Sequence, residues 1–283
     1  MTTHWNVSWQ HRELEIPELW TAGCFGKGAT VALLDSGLAA PRGLDRRDFE
    51  YLDARGQPIL PSDSSGHGTC CGSLIASYRG GALGIAPHAK LVSLRVLDTG
   101  TSLADVESAL DYLVQQRPDV DVVSCSFVMS RLTPGVQASV RALTNRGQLV
   151  VAAAGNDQTP SPFPEGTLNA LTVAAVDRQR SPLSGARLGS WIDLAAPGKD
   201  LPVIVPGTDA FALFSQSSAA AAVVSGVAAL VLSAVPPGGQ RRKFAAGLEG
   251  HFRSTAQALS GQDPKAIGQG LVNPRALLRL ARA

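Results

Sequence analysis

Phe214-Ser215-Gln216-Ser217-Ser218 runs directly into Ala219-Ala220-Ala221-Ala222-Val223-Val224-Ser225-Gly226-Val227-Ala228-Ala229-Leu230. Small polar residues come first, then almost nothing but Ala, Val and Gly. A Ser at the head of an Ala-rich run marks a helix start, where the hydroxyl lies beside backbone N–H groups that have no intrahelical partner. No face of the run is polar, so the helix is expected at the centre of the protein. A buried helix with a hydroxyl at its N-terminus is one way to set a nucleophile beside a site for an anion. Taken alone, the same residues describe a core helix with a Ser cap, and the choice between the two lies upstream.

Thr30-Val31-Ala32-Leu33-Leu34-Asp35 is an apolar run ending in an acid and Ser36-Gly37, the pattern of a buried parallel strand that delivers Asp35 at its tip. Four more apolar runs follow, Leu91 to Leu97, Val120 to Phe127, Leu149 to Ala154 and Leu171 to Val176. Between them, residues 103–116 carry apolar side chains at helical spacing, and residues 136–146 do so more weakly. A helix is also expected to begin at His67, within Gly66-His67-Gly68-Thr69-Cys70-Cys71. Strands and helices in alternation argue for an α/β fold of three layers, α/β/α, with a central, mostly parallel sheet and the Ser218 helix buried against it. Residues 39–65 read as surface loop or a loop with a hairpin, residues 199–215 as a loop with a hairpin, and the tail as surface helices near 241–258 and 274–282. No repeat, linker or composition break divides the chain, so residues 1–283 are expected to form one domain.

Composition narrows the function. Of 283 residues, 45% are hydrophobic and 17% charged, enough for a large core. The net charge of +2 gives no reason to expect nucleic acid or a membrane surface as partner. Met1-Thr2-Thr3-His4-Trp5-Asn6 is polar, so neither a signal peptide nor a membrane span is expected. Cys24, Cys70, Cys71 and Cys125 fit no disulfide framework or zinc pattern; reduced thiols and a cytoplasmic location are expected.

Asp35 at a strand tip, His67 at one helix start and Ser218 at another are the three parts that serine hydrolysis needs. A Ser hydroxyl is a weak nucleophile until an imidazole takes its proton, and a buried carboxylate fixes that imidazole's tautomer. Val31-Ala32-Leu33-Leu34-Asp35-Ser36-Gly37, Gly66-His67-Gly68-Thr69 and Ser217-Ser218-Ala219 resemble the three signature blocks of the subtilisin-like serine proteases, the subtilases. Val151-Ala152-Ala153-Ala154-Gly155-Asn156 and Asp193-Leu194-Ala195-Ala196-Pro197-Gly198 resemble two supporting blocks, and the likeness runs from about Gly26 to Leu232. The resemblance implies the subtilisin-like fold and a serine endopeptidase. Ser218 would be the nucleophile, His67 the base, Asp35 its orienting acid, and the Asn156 amide an oxyanion donor. It implies a groove for an extended protein or peptide substrate, with Cys125, Ser126, Phe127 and Val128 as a pairing strand. Ala153, Ala154 and Gly155 would form part of the pocket for the side chain before the scissile bond, and Gln216 and Ser217 would also bind substrate. The resemblance also implies a cis bond between Phe163 and Pro164.

The chain departs from the family pattern in several places. Gln216 stands where relatives usually have Gly, Ala222 where they have Pro, and Val223 where they have His. Val128 and Met129 replace two common glycines, and Cys70 a common His. Cys71 matches a thiol found under the active-site histidine of some relatives and is expected to pack rather than react. No cofactor is expected, and no metal. Ala40-Pro41-Arg42 and Ser77-Tyr78-Arg79-Gly80-Gly81-Ala82-Leu83-Gly84 put arginines where many secreted subtilases build a calcium site. Because Gln216 adds bulk beside the nucleophile, a subtilase-like pseudoenzyme that binds an extended peptide without cleaving it is the alternative. Transpeptidation or ester cleavage by the same residues is a third.

Overall fold

The computed structural model describes residues 7–98, 102–167, 169–208 and 210–283. Its centre is a sheet of seven strands, β1 (Thr30–Asp35), β2 (Glu50–Asp53), β3 (Lys90–Arg95), β4 (Val122–Cys125), β5 (Leu149–Ala153), β6 (Ala170–Val176) and β7 (Leu194–Pro197). They lie in the order β2-β3-β1-β4-β5-β6-β7, and every pair is parallel. The strand order reverses beside β1, where the chain first builds outward to one edge and then crosses to the other. In an open α/β sheet the crevice beyond the strand tips at such a point is where ligands bind. Asp35 is the last residue of β1 and lies at that crevice.

Both faces of the sheet are covered, which is why its strands read as continuous apolar runs. Alternation along β1 separates the two cores. Val31 and Leu33 pack with helices α1 (His67–Ala76) and α4 (Ser217–Leu232). Ala32 and Leu34 pack with α2 (Leu103–Gln116) and α3 (Pro134–Asn145). All sixteen residues of α4 are buried, so the helix lies inside the protein with no wet face. Helix α2 is capped by the Ser102 side chain and α3 by Thr133, with Pro134 at its first position.

The structure amends the sequence reading in two places. Residues 39–65 are not all loop: Glu50–Asp53 adds β2 to the sheet edge. Only Leu52 of that strand is fully buried, so it lacks the apolar signature that marks its neighbours. The tail folds as three helices, α5 (Gly239–Ala246), α6 (Leu248–Thr255) and α7 (Pro274–Arg282), with a short turn of helix at Pro264–Ile267. The hairpin expected within 199–215 is present as β8 (Leu201–Ile204) and β9 (Phe211–Phe214). Among the described residues, no helix is long and apolar enough to cross a membrane.

Candidate active site

Three elements converge at the strand tips. β1 ends in Asp35, which is wholly buried, and α1 begins at His67. Nδ1 of His67 lies 2.7 Å from Oδ1 of Asp35, which also accepts the Ser36 N–H at 2.8 Å. Helix α1 can approach this closely because Gly68 follows His67: a Cβ there would lie 2.0 Å from the Gly37 carbonyl oxygen. The Phe214 ring meets the imidazole edge-on, with centroids 5.4 Å apart.

The imidazole titrates above its ordinary value of 6.5. Burial opposes its charge, but the hydrogen bond to the Asp35 carboxylate and that group's negative charge favour it. Cys71 Sγ is 3.9 Å from Nδ1, yet this thiol is itself pushed up by full burial and stays neutral. Asp35 is therefore the anion that favours imidazolium. Asp35, His67 and Cys71 are, among the described residues, the three side chains close enough together to hold a metal ion. With Asp35 and His67 bonded to each other and the thiol protonated, they form a poor ligand set.

The head of α4 is fastened through two neighbours. Asn156 Oδ1 accepts both the Ser217 N–H at 2.9 Å and the Ser217 hydroxyl at 2.8 Å, and the Gly155 N–H donates to Ser217 Oγ at 3.0 Å. The backbone donor at Ser217 fixes which end of the Asn156 amide is oxygen. Among the described hydrogen bonds none uses its NH₂, and the residue is exposed. Among the described hydrogen bonds none uses the Ser218 N–H, one of the orphan donors of a helix start. The hydroxyls of Ser218 and Ser126 are exchanged across the gap. Ser218 Oγ donates to the Ser126 carbonyl at 2.9 Å, and Ser126 Oγ donates to the Ser218 carbonyl at 3.1 Å. The Ser218 hydroxyl is thus turned toward the strand tip in this state, not toward the imidazole.

The subtilase family model matches residues 26–270. The chain belongs to the subtilase family. Subtilisin BL from Lederbergia lenta is 30% identical over 279 residues, covering 97% of this chain and 99% of that protein. Thermitase from Thermoactinomyces vulgaris is 30% identical over 261 residues, covering 88% of each. A protease from Pseudoalteromonas arctica has a similar solved structure, with TM-score 0.84, 23% identity, and 99% and 98% of the two chains covered. That likeness shows the subtilisin-like fold. As a subtilase, the chain is a serine protease.

The subtilase departures can now be placed. Gln216 takes φ +93° and ψ −179°, a conformation that glycine adopts freely and other residues rarely do. Its N–H donates to the Gly198 carbonyl at 2.7 Å, and its carbonyl accepts from Ala219 and Ala220, starting the helix. Gly198 is required opposite it, since a Cβ there would lie 2.9 Å from the Gln216 oxygen. The Gln216 side chain is exposed, so the helix start keeps its backbone path despite the bulk. The bond between Phe163 and Pro164 is cis, as the resemblance implied.

Most side chains of the strand that the resemblance assigns to substrate pairing are buried. The Cys125 side chain is 1% exposed and packs among the core residues beneath α2 and α3, so only its backbone is placed to pair with a substrate. Ser126 and Phe127 are also buried, the latter stacked on Phe163, while Val128 is half-buried. Ala153, Ala154 and Gly155 are buried at the end of β5. Ser217 is buried as well and joins the β5 loop to α4 through its hydrogen bonds, which makes it a positioning residue.

Sequence reasoning missed Asp63. Its carboxylate accepts the Ser36 hydroxyl at 2.7 Å and the Thr69 N–H and hydroxyl at 2.7 and 2.6 Å, so it holds the His67 loop to Asp35's neighbour. Its place four residues before His67 was the only sequence signal. The loop after α1 closes onto the body: Gly84 N–H reaches the Ser77 carbonyl, Tyr78 N–H the Gly43 carbonyl, and Arg79 lies over the Phe211 ring. An acid overlooked in the sequence, Asp45, is brought there, but it accepts the Tyr78 hydroxyl and the Gly43 N–H.

Proposed function

We propose that this subtilase cleaves peptide bonds with Ser218 as nucleophile, His67 as general base and then acid, and Asp35 as the group that orients the imidazole. The observation that carries the reading is the 2.7 Å contact between Asp35 and His67 Nδ1. A carboxylate there keeps the proton on Nδ1, so Nε2 is the free base. In the proposed reaction the Ser218 hydroxyl leaves the Ser126 carbonyl and donates to that nitrogen. Oγ then attacks the substrate carbonyl as its proton passes to His67, and His67 returns the proton to the leaving amine. The Asn156 NH₂ and the Ser218 N–H, both unused among the described hydrogen bonds, receive the oxyanion; deleting one such donor typically lowers kcat by about 10²–10³.

The substrate is a protein or peptide bound in extended form, its backbone pairing with residues 125–128. The four cysteines are all free, which supports a reducing, cytoplasmic setting. Reaction of the full chain with a small fluorophosphonate, read by intact mass, tests the proposal. One adduct located on Ser218, and loss of both adduct and peptide cleavage in Ser218→Ala, is the expected result. A folded chain that takes no adduct and cleaves no member of a proteome-derived peptide library would overturn it.

A further inference from the structure

Beside Gly155, Asn156 and Ser217 the surface sinks into a pocket of about 40 Å³, lined also by Ala174, Gln216 and Arg187. One ordered water needs on the order of 10–15 Å³, so the pocket has room for roughly three waters. A bulky side chain does not fit a space of that size. What fills the rest is Arg187, which belongs to no motif.

Arg187 is an arginine with a side chain only 4% exposed. Its Nε donates to the Asp157 carbonyl at 2.9 Å, Nη1 to Glu165 Oε1 at 2.9 Å, and Nη2 to Asp157 Oδ1 at 2.9 Å and to the Thr159 carbonyl. These bonds tie the planar fork to the 157–159 loop and to Glu165, so it cannot retract without breaking several at once. The guanidinium lies against the pocket wall: a Cβ on Gly155 would lie 3.1 Å from both Cζ and Nε. Glu165 is in turn held by the Ser161 N–H at 3.0 Å.

We infer that Arg187 sets the specificity of this protease by closing the pocket beside Gly155, which limits the residue before the scissile bond to a small uncharged side chain such as Ala or Ser. Charge works in the same direction as size. One guanidinium faces two carboxylates, Asp157 and Glu165, leaving a surplus of one negative charge that repels an acidic side chain. The inference rests on the peptide-bond cleavage proposed above, and its test has a part that needs no catalysis.

Peptides differing only at the residue before the scissile bond give the specificity ratio. Room for a few carbons in a fitted pocket changes kcat/KM by roughly 10–200-fold per missing or extra group. The protein is expected to favour Ala over Phe by about 10²-fold and Ala over Glu by a similar factor. Arg187→Ala should shrink the Ala-to-Phe ratio at least tenfold, whereas Arg187→Met, which keeps the bulk, should hold it within about threefold. A ratio is unaffected by the fraction of competent enzyme. Equal cleavage after Phe and Ala, or a folded Arg187→Ala with an unchanged ratio, would overturn the inference. Calorimetry with product peptides ending in Ala, Phe or Glu reads the same pocket in the unaltered protein. Tight binding of the Ala peptide alone supports the inference even if cleavage fails, and equal affinities refute it even if cleavage succeeds.

Discussion

Replacing Gln216 by Gly should stabilise the protein, although it removes a side chain. At φ +93° and ψ −179° the residue occupies a region that is essentially reserved for glycine, and a non-glycine residue held there costs about 1–3 kcal/mol. Glycine would relieve that strain but enlarge the conformational freedom of the unfolded chain by roughly 0.4–1 kcal/mol. The exposed side chain contributes no hydrogen bond among those described. The expected net gain is about 1 kcal/mol, which for a chain of this size raises Tm by roughly 2–4 °C. Gln216→Ala is the control, because it keeps Cβ and the strain while removing the same polar arm; it should lie within about 0.5 kcal/mol of the parent. Urea unfolding followed by circular dichroism, on variants inactivated by Ser218→Ala to prevent self-digestion, gives both values at constant m. A Gln216→Gly variant less stable than Gln216→Ala would show that the surrounding hydrogen bonds, and not strain, decide this position.

Because the folded protein raises the His67 pKa above 6.5, kcat/KM should climb with pH through a limb above that value, as the imidazole loses its proton. Asp35→Asn should move the limb downward and lower kcat by about 10⁴-fold; a plateau already reached below pH 6 would contradict the assignment. For stability the sign is opposite: the favoured imidazolium contributes fully below about pH 6.5, and that contribution is lost as pH rises through the folded value. Chelation should move Tm by less than about 2 °C, since a calcium site filled at 100 times its Kd would hold about 2.7 kcal/mol, or several degrees. A fall of many degrees would place a tight ion in the fold.

The elements that the sequence disclosed most clearly are those whose signal is local. β1 declares itself by six successive buried residues, α4 by sixteen, and α1 by glycines on both sides of His67. Parallel strands buried on both faces and a helix without a wet side leave little freedom of composition, so they read plainly. Features built from distant residues were hidden. Arg187 meets partners 22 and 30 residues away, Ser218 exchanges hydroxyls with a residue 92 away, and none of these has a marker of its own. β2 was read as loop because an edge strand buries one side chain in four. The burial of the Cys125 side chain was equally hidden, because a strand tip at a cleft still turns alternate side chains into the core.

The wholly enclosed helix α4 also governs how long a protease can survive among its own copies. Amide groups in such a segment exchange with water only when the entire molecule opens, whereas a segment with few buried contacts opens locally at small cost. Helix α5 is of the second kind, with no buried residue along its length. Self-inflicted cuts therefore begin in the tail near residues 239–246, while the backbone that carries Ser218 is reached only at the rate of global unfolding. Durability under self-digestion is set by the anchoring of that tail, which makes it the place where the protein's working lifetime can be lengthened without touching the chemistry.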